Sequence, residues 1–292
     1  MRAVVVGGSI AGLSAARALW RSGIETLVLE RSDGALRDRG AGLGFDPSLV
    51  AAVLGHDPDP ELPQLRPRGR ALHRGGADAP EIEAGEHRLT TWQHLYAALR
   101  HGLEVAVSTG VQVCGLRPHG SRWEVLTRQS EVHRADLVVG ADGHRSALRR
   151  HVDPSAQPRY SGYLLWRGMV AADALDDEVR ATFLDGHLHL RPAPRQHFVC
   201  YEVPAATVNG PQRLNWGWYS TAFRCAPGGC RALETGCGRL TRSASSTGRS
   251  TQPCSSGSRW RSGWPVGRQP SSRWPRSVHR TGRWAAPSHV AR

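Results

Sequence analysis

The stretch from Ala3 to Glu30 reads AVVVGGSIAGLSAARALWRSGIETLVLE. Ala3–Val6 is a short β-branched run of the kind buried on both faces in a parallel sheet. Gly7-Gly8-Ser9-Ile10-Ala11-Gly12 follows as a small-residue turn. Leu13, Ala16, Leu19 and Trp20 then recur at helical spacing, and Gly23 is a good helix stop. Thr26–Leu29 is a second buried-looking strand, closing on Glu30. The order is strand, glycine-rich turn, helix, strand, acid.

That order suits a dinucleotide. Small residues let the backbone approach a pyrophosphate, and the helix N-terminus offers it unpaired N–H groups and partial positive charge. Glu30 lies 18 residues after Gly12, where a carboxylate can accept hydrogen bonds from ribose hydroxyls. A free 2′-hydroxyl is implied, which favours FAD or NAD over NADP. The second glycine of G-x-G-x-x-G is Ser9 here, so the fingerprint rests on its flanking elements more than on its letters.

After Glu30 the chain does not return at once to a third strand–helix unit, as a NAD dehydrogenase would. It continues through Arg31-Ser32-Asp33-Gly34 and Arg39-Gly40-Ala41-Gly42-Leu43. Farther on, Ala135-Asp136-Leu137-Val138-Val139-Gly140-Ala141-Asp142-Gly143-His144-Arg145-Ser146-Ala147-Leu148-Arg149 reads as a buried strand, an Asp-Gly turn and a short helix opened by Ser146. Thr90-Thr91 to His101 reads as a helix with Leu95, Ala98 and Leu99 on one face. Residues 103–134 read as short strands with a turn at His119-Gly120-Ser121, and further strands are expected at Tyr163–Val170, His187–Leu190, His197–Val203 and Leu214–Ser220.

Together these residues resemble the class A FAD-dependent aromatic hydroxylases, over about residues 1–224. The Asp136–Arg149 stretch matches that family's Asp-Gly fingerprint nearly throughout. Gly7-Gly8-Ser9, Thr91-Trp92 before Leu95-Tyr96, Tyr160-Ser161-Gly162-Tyr163 before Trp166-Arg167-Gly168, and Asn215-Trp216-Gly217-Trp218-Tyr219 look most like its 2,6-dihydroxypyridine hydroxylase branch. The resemblance implies an α/β fold: a three-layer Rossmann-type FAD-binding domain over residues 1–158, with a strand insertion around 61–84, and a β-rich substrate region over 159–224. By the same resemblance Gly7, Ser9, Ile10, Ala11 and Gly12 line the FAD pyrophosphate and Glu30 holds the adenosine ribose. Arg31 and Arg39 lie near the adenine and phosphate portion, Val113 lends its backbone to the adenine, and Asp142 and Gly143 sit behind the pyrophosphate and ribityl chain. Many relatives carry an Arg where Trp92 stands, so this chain lacks that cationic side chain.

The implied activity is hydroxylation of a small aromatic or N-heteroaromatic ring with O2, NADH or NADPH reducing the FAD. The protein orients the ring and excludes water, while a base can assist by deprotonating a ring hydroxyl. His197, Tyr201 and Tyr219 are polar residues on the expected pocket-side strands, but no catalytic residue is assigned from the sequence. Flavin-dependent halogenases, which resemble this fold, need a Lys to carry the oxidant, and this chain has none.

Charge and composition divide the chain. Of 292 residues, 38 are Arg and 25 acidic, a net charge of +13. Eleven of those Arg follow Glu234, after which no acid occurs; residues 1–234 are thus close to neutral, at +2. A uniformly basic nucleic-acid-binding body is argued against. The last 58 residues hold four from Leu, Ile, Val and Phe, too little apolar area to offset ordering entropy. Residues 225–292 are therefore expected to form a disordered or non-native tail. The family's third fingerprint, a Gly-Asp, is missing, since Asp185 is the last Asp. Together with the absence of Lys, an Arg/Gly/Ser/Pro/Trp-rich tail suggests a frameshift or truncation near residue 230 in a GC-rich gene, and hence weak FAD retention. The alternative is a non-catalytic remnant whose basic, Trp-studded tail binds nucleic acid.

Six scattered Cys without a Cys-x-x-Cys pair argue against a zinc ribbon and fit reduced thiols in the cytoplasm. The apolar start is broken by Gly7 and Gly8, unlike a leader peptide. No apolar run reaches the roughly 20 residues of a membrane span, so no membrane partner is expected. Oligomeric state and substrate identity are left open.

Overall fold

In the computed structural model, the described residues are 1–221, save 35, 37–40, 59–61, 76–78 and 208–209, together with the strands at 223–226 and 229–232. Their architecture is mixed α/β. β1 (Arg2–Val6) leads through the glycine turn into α1 (Ile10–Arg21), and β2 (Glu25–Leu29) returns beside β1. β3 (Gly42–Phe45) and α2 (Pro47–Leu54) follow, then the three-residue strands β4 (Arg70–Leu72) and β5 (Glu81–Glu83). β6 (Arg88–Thr91) runs straight into α3 (Trp92–Arg100), with Thr91 as its N-cap accepting from the His94 N–H at 3.2 Å. The strands β7 (Ala106–Ser108), β8 (Val113–His119), β9 (Arg122–Thr127), β10 (Val132–Ala135) and β11 (Leu137–Gly140) come next. The turn between β8 and β9 holds Gly120 at φ +60°, where a glycine is favoured.

The parallel sheet has the order β11-β1-β2-β7. Its centre, β1, is buried on both faces, which explains why the sequence there is a continuous apolar run and not an alternation. Val4 and Val6 pack with Val113, Val125 and Ala135 of the antiparallel β8–β9–β10 sheet. Val5 points the other way, onto Ala16 of α1 and Val28. Helix layer, parallel sheet and antiparallel sheet make the three layers. Leu13 of α1 meets Val50 and Leu54 of α2 and Leu95, Ala98 and Leu99 of α3 in one apolar cluster.

Arg17 joins those helices. It is buried in α1, and its guanidinium donates to the carbonyls of Leu99 (3.0 Å), Leu54 (3.4 Å) and His101. One side chain thus caps the C-terminal ends of α2 and α3, where a cation is favoured by both the open carbonyls and the helix dipole.

The second body is a six-stranded sheet, β12-β15-β14-β13-β4-β5. β12 (Leu164–Ala171), β13 (Leu188–Ala193), β14 (Gln196–Val203) and β15 (Arg213–Ser220) match the expected strands to within three residues. The two short strands of the insertion, β4 and β5, extend this sheet through a parallel pairing of β4 with β13. α5 (Asp177–Phe183), capped by Asp176, covers one face, with Val179 and Phe183 against Cys200 and Leu214. The opposite face carries Tyr201 and Val203, which pack on Leu89 of β6.

Two expectations shift. The helix after the Asp-Gly turn, α4 (Arg149–Val152), begins three residues after Ser146; the Ser146 hydroxyl accepts from the Arg149 N–H at 2.9 Å, so it caps the turn preceding the helix. And β16 (Phe223–Ala226) and β17 (Gly229–Ala232) pair antiparallel within the stretch assigned to the tail from residue 225. The rest of the expected tail lies outside the described residues.

Candidate functional site

The β1–α1 turn is shaped by close backbone approach. Gly7 has φ +107°, and a Cβ there would overlap the Ala141 carbonyl. A Cβ at Gly12 would overlap the Gly7 carbonyl oxygen. The first and second fingerprints therefore abut, held by the Ala141 N–H donating to Val6 at 2.8 Å and the Gly7 N–H donating to Leu29 at 2.8 Å. Ser9 is the N-cap of α1 but its side chain makes no capping bond. The first helical bond is the Leu13 N–H to the Ser9 carbonyl at 2.9 Å. The N–H groups of Ile10, Ala11 and Gly12 precede it and, by helix geometry, have no partner within α1.

Glu30 closes the other side. Its side chain is buried, and one oxygen accepts from the Gly8 N–H at 2.7 Å while the other accepts from the Ser32 N–H at 2.8 Å. A Cβ on Gly8 would lie 3.0 Å from the Glu30 Cβ, so the turn and the carboxylate are in contact. Burial pushes the Glu30 carboxyl up, but the Gly8 and Ser32 N–H groups, the Ser32 hydroxyl and the nearby Arg31 charge outweigh it and hold it below its usual range. It is a fixed carboxylate at neutral pH, with acceptor capacity left beyond these three donors.

Asp142 follows β11 by two residues, and its backbone N would lie 3.1 Å from a Cβ on Gly7 in the same turn. One carboxylate oxygen accepts from the Ala147 N–H at 2.7 Å; the other is buried with no hydrogen-bond partner among the described residues. Such an orphaned acceptor calls for a donor, which a water or a ligand hydroxyl can supply. Gly143, next to it, has φ +78°. Val113 is a buried β8 residue paired with Thr127, close to Glu30 through Val111, whose N–H donates to the Glu30 carbonyl at 2.9 Å. Arg31 is exposed and reaches the site only through its charge. Arg39 lies outside the described residues. The expected residues Gly7, Ser9, Ile10, Ala11, Gly12, Glu30, Asp142 and Gly143 thus surround one end of α1. Trp92 stacks on Tyr96 at 4.9 Å and 13°.

The cradle, the open helix end and the Glu30 carboxylate fit the adenosine diphosphate half of FAD, and the orphaned Asp142 oxygen fits a hydroxyl donor such as the ribityl chain carries. Beside Gly143 is a cavity of about 640 Å³ lined by His144, Arg145, Arg149, Arg150 and His151.

The polar strand residues separate. His197 and Tyr219 stack at 4.2 Å and 15° and line a cavity of about 490 Å³ with Tyr163. Tyr201 is buried nearer to β6, and burial pushes its phenol up to about 12. Sequence reasoning had no role for Asn215, whose carboxamide oxygen accepts from the Gly42 N–H at 2.8 Å and ties β15 to β3. A signal existed in Gly42: a Cβ there would overlap Asn215.

Residues 160–252 match a family model described as FAD binding domain-like. The chain is 29% identical over 223 residues to the 2,6-dihydroxypyridine 3-monooxygenase of Paenarthrobacter nicotinovorans, covering 75% of this chain and 55% of the relative. It is 33% identical over 200 residues to the 2-heptyl-3-hydroxy-4(1H)-quinolone synthase of Pseudomonas aeruginosa, covering 64% and 51%. The solved structure of 2,6-dihydroxypyridine-3-hydroxylase from Arthrobacter nicotinovorans superposes with a TM-score of 0.67 at 26% identity, over 75% of this chain and 56% of that one. The chain spans about half the length of the relatives it matches.

Proposed function

We infer that this homologue of the class A FAD-dependent aromatic hydroxylases binds FAD and is an NADH- or NADPH-dependent monooxygenase of a small hydroxylated aromatic or N-heteroaromatic ring. The observation that carries the inference is the pairing of an open α1 N-terminus with the buried Glu30 carboxylate across the glycine turn. When bound, FAD supplies electron transfer and O2 activation. This chain's residues do the rest. The N–H groups of Ile10, Ala11 and Gly12 face the pyrophosphate, Glu30 accepts from the ribose hydroxyls, and Asp142 and Gly143 border the ribityl side. Arg145 and Arg150 of the cation-lined cavity offer charge to the phosphates of the reducing dinucleotide. Residues 1–158 then form the FAD-binding domain and 159–224 the substrate region, in a cytoplasmic protein.

The missing Gly-Asp motif weakens the ribityl and ring side of that site while leaving the adenosine side intact. Weak FAD retention follows, with catalysis depending on added FAD. The test is reduction of FAD by NADH or NADPH in the presence of the full chain. Turnover above the protein-free rate supports an enzyme; FAD binding without any reduction supports a non-catalytic remnant.

One observation favours a second activity: 11 Arg and four Trp in the 58 residues after Glu234, with no acid. A basic, aromatic segment binds single-stranded nucleic acid through charge and stacking. Salt-dependent retention on single-stranded DNA is the outcome that supports it, and no retention at low salt removes it.

A further inference from the structure

The face of the second sheet opposite α5 carries three donor groups side by side. Asn215 sits between Tyr201 of β14 and Met169 of β12 in the strand register, and Arg167 lies one pleat further, opposite Gly217. The Asn215 oxygen is fixed by the Gly42 N–H at 2.8 Å. That bond sets the orientation of the carboxamide, so its other end is the NH2 group, which donates to no atom among the described residues although Asn215 is only 6% exposed. The Tyr201 hydroxyl likewise has no hydrogen-bond partner among them, and Arg167 interacts with Tyr201 through its charge alone. β12, β15 and β14 place no carboxylate on this face, since Glu202 lies on the other. A carboxamide whose NH2 meets no acceptor among the described residues, on a face that also carries a phenol and a cation, is complementary to an acceptor oxygen.

We propose that Asn215 is the specificity-determining residue of the substrate site, donating its Nδ2 hydrogens to an ionised hydroxyl or ring carbonyl oxygen of the aromatic substrate, with Tyr201 and Arg167 as its companions. The proposal rests on the hydroxylase reading above. Gly42 serves it in two ways: its N–H keeps the carboxamide from turning its oxygen toward the ring, and its missing side chain makes room for Asn215. Rings lacking such an oxygen leave the donors unmet, and a site built to hydrogen-bond rejects them.

The test compares two rings of similar shape, 2,6-dihydroxypyridine and 2,6-dimethylpyridine, titrated calorimetrically into the full chain with saturating FAD. Asn215→Asp keeps an acceptor for Gly42 and replaces the donors by a charged oxygen. Tyr201→Phe removes one donor and no packing. The wild type is expected to prefer the dihydroxy ring by about tenfold or more. Each variant is expected to lose roughly tenfold on that ring alone, with dimethyl-ring affinity and melting temperature nearly unchanged. Variants that bind the dihydroxy ring like the wild type, or lose both rings equally, overturn the proposal. FAD uptake is read in the same samples by flavin fluorescence. Normal FAD uptake with unselective variants refutes Asn215 alone, whereas a wild type that takes up neither FAD nor ring refutes the hydroxylase reading and this proposal with it.

Discussion

Replacing Glu30 with Gln tests whether the buried carboxylate organises the nucleotide turn. The Glu30 side chain accepts two backbone hydrogen bonds, from Gly8 at 2.7 Å and Ser32 at 2.8 Å, one on each oxygen. Gln keeps one acceptor and turns an NH2 toward the other N–H. The loss is one charge-assisted hydrogen bond plus a donor facing a donor in a buried setting, about 2–4 kcal/mol. For a body of this size that lowers the melting temperature by roughly 4–16 °C. The pH dependence gives a sharper signature. The Glu30 carboxyl is held below its ordinary value, so its contribution is present above the unfolded value, about pH 4.3, and is lost as pH falls through the folded value. The gap between wild type and Glu30→Gln should therefore be widest near neutrality and shrink below about pH 4. Thermal melts followed by circular dichroism at a series of pH values measure both. Equal melting temperatures at pH 7, or a gap that grows on acidification, refute the reasoning.

Three further outcomes follow from named contacts. Arg17→Met should destabilise the chain by about 3–5 kcal/mol, because it strips three carbonyls at the ends of α2 and α3 of their donor; denaturant melts check it, and a loss under about 1 kcal/mol contradicts it. Gly12→Ala should weaken ADP affinity at least about tenfold, since the new Cβ displaces the Gly7 carbonyl and opens the turn; calorimetry reads it. Thr91→Ala removes the N-cap of α3 and should cost about 1 kcal/mol without altering nucleotide affinity, which paired melts and ADP titrations decide.

Much of this was legible in the sequence wherever local pattern and tertiary role coincide. The run Ala3–Val6 had to be buried on both faces, and Leu95, Ala98 and Leu99 had to lie on one helix face, because periodicity reports burial directly. The Gly7–Gly12 turn and Glu30 were readable because a close backbone approach and a strand-end acid leave chemical traces. Arg17 was not. In a helix of mostly small and apolar residues an Arg looks like a solvated charge, and only the convergence of two other helix ends gives it buried acceptors. β4 and β5 were also hidden: three residues carry too little alternation, and β13, which joins β4 to the sheet, lies more than a hundred residues away. Asn215 escaped for a related reason, since its significance depends on a glycine 173 positions earlier in the chain.

The partly buried titratable network on the α5 side of the second sheet was equally illegible. His73 and His189 share a hydrogen bond at 3.0 Å, and His189 is held by Asp185 at 2.9 Å. Burial and the second imidazole push His73 down; burial also pushes His189 down, although Asp185 opposes it. The pair joins β4 to β13 with side chains drawn from the insertion and from the substrate region, a link no local pattern could announce.

The central claim is that the α1 end and Glu30 form a site for the adenosine diphosphate half of FAD. Titrating FAD into the purified full chain while following flavin fluorescence, then adding ADP in competition, tests it most directly. Saturable quenching at one FAD per chain, reversed by ADP, is the predicted result. Absence of saturable quenching in a folded sample, or FAD binding that ADP cannot displace, contradicts it.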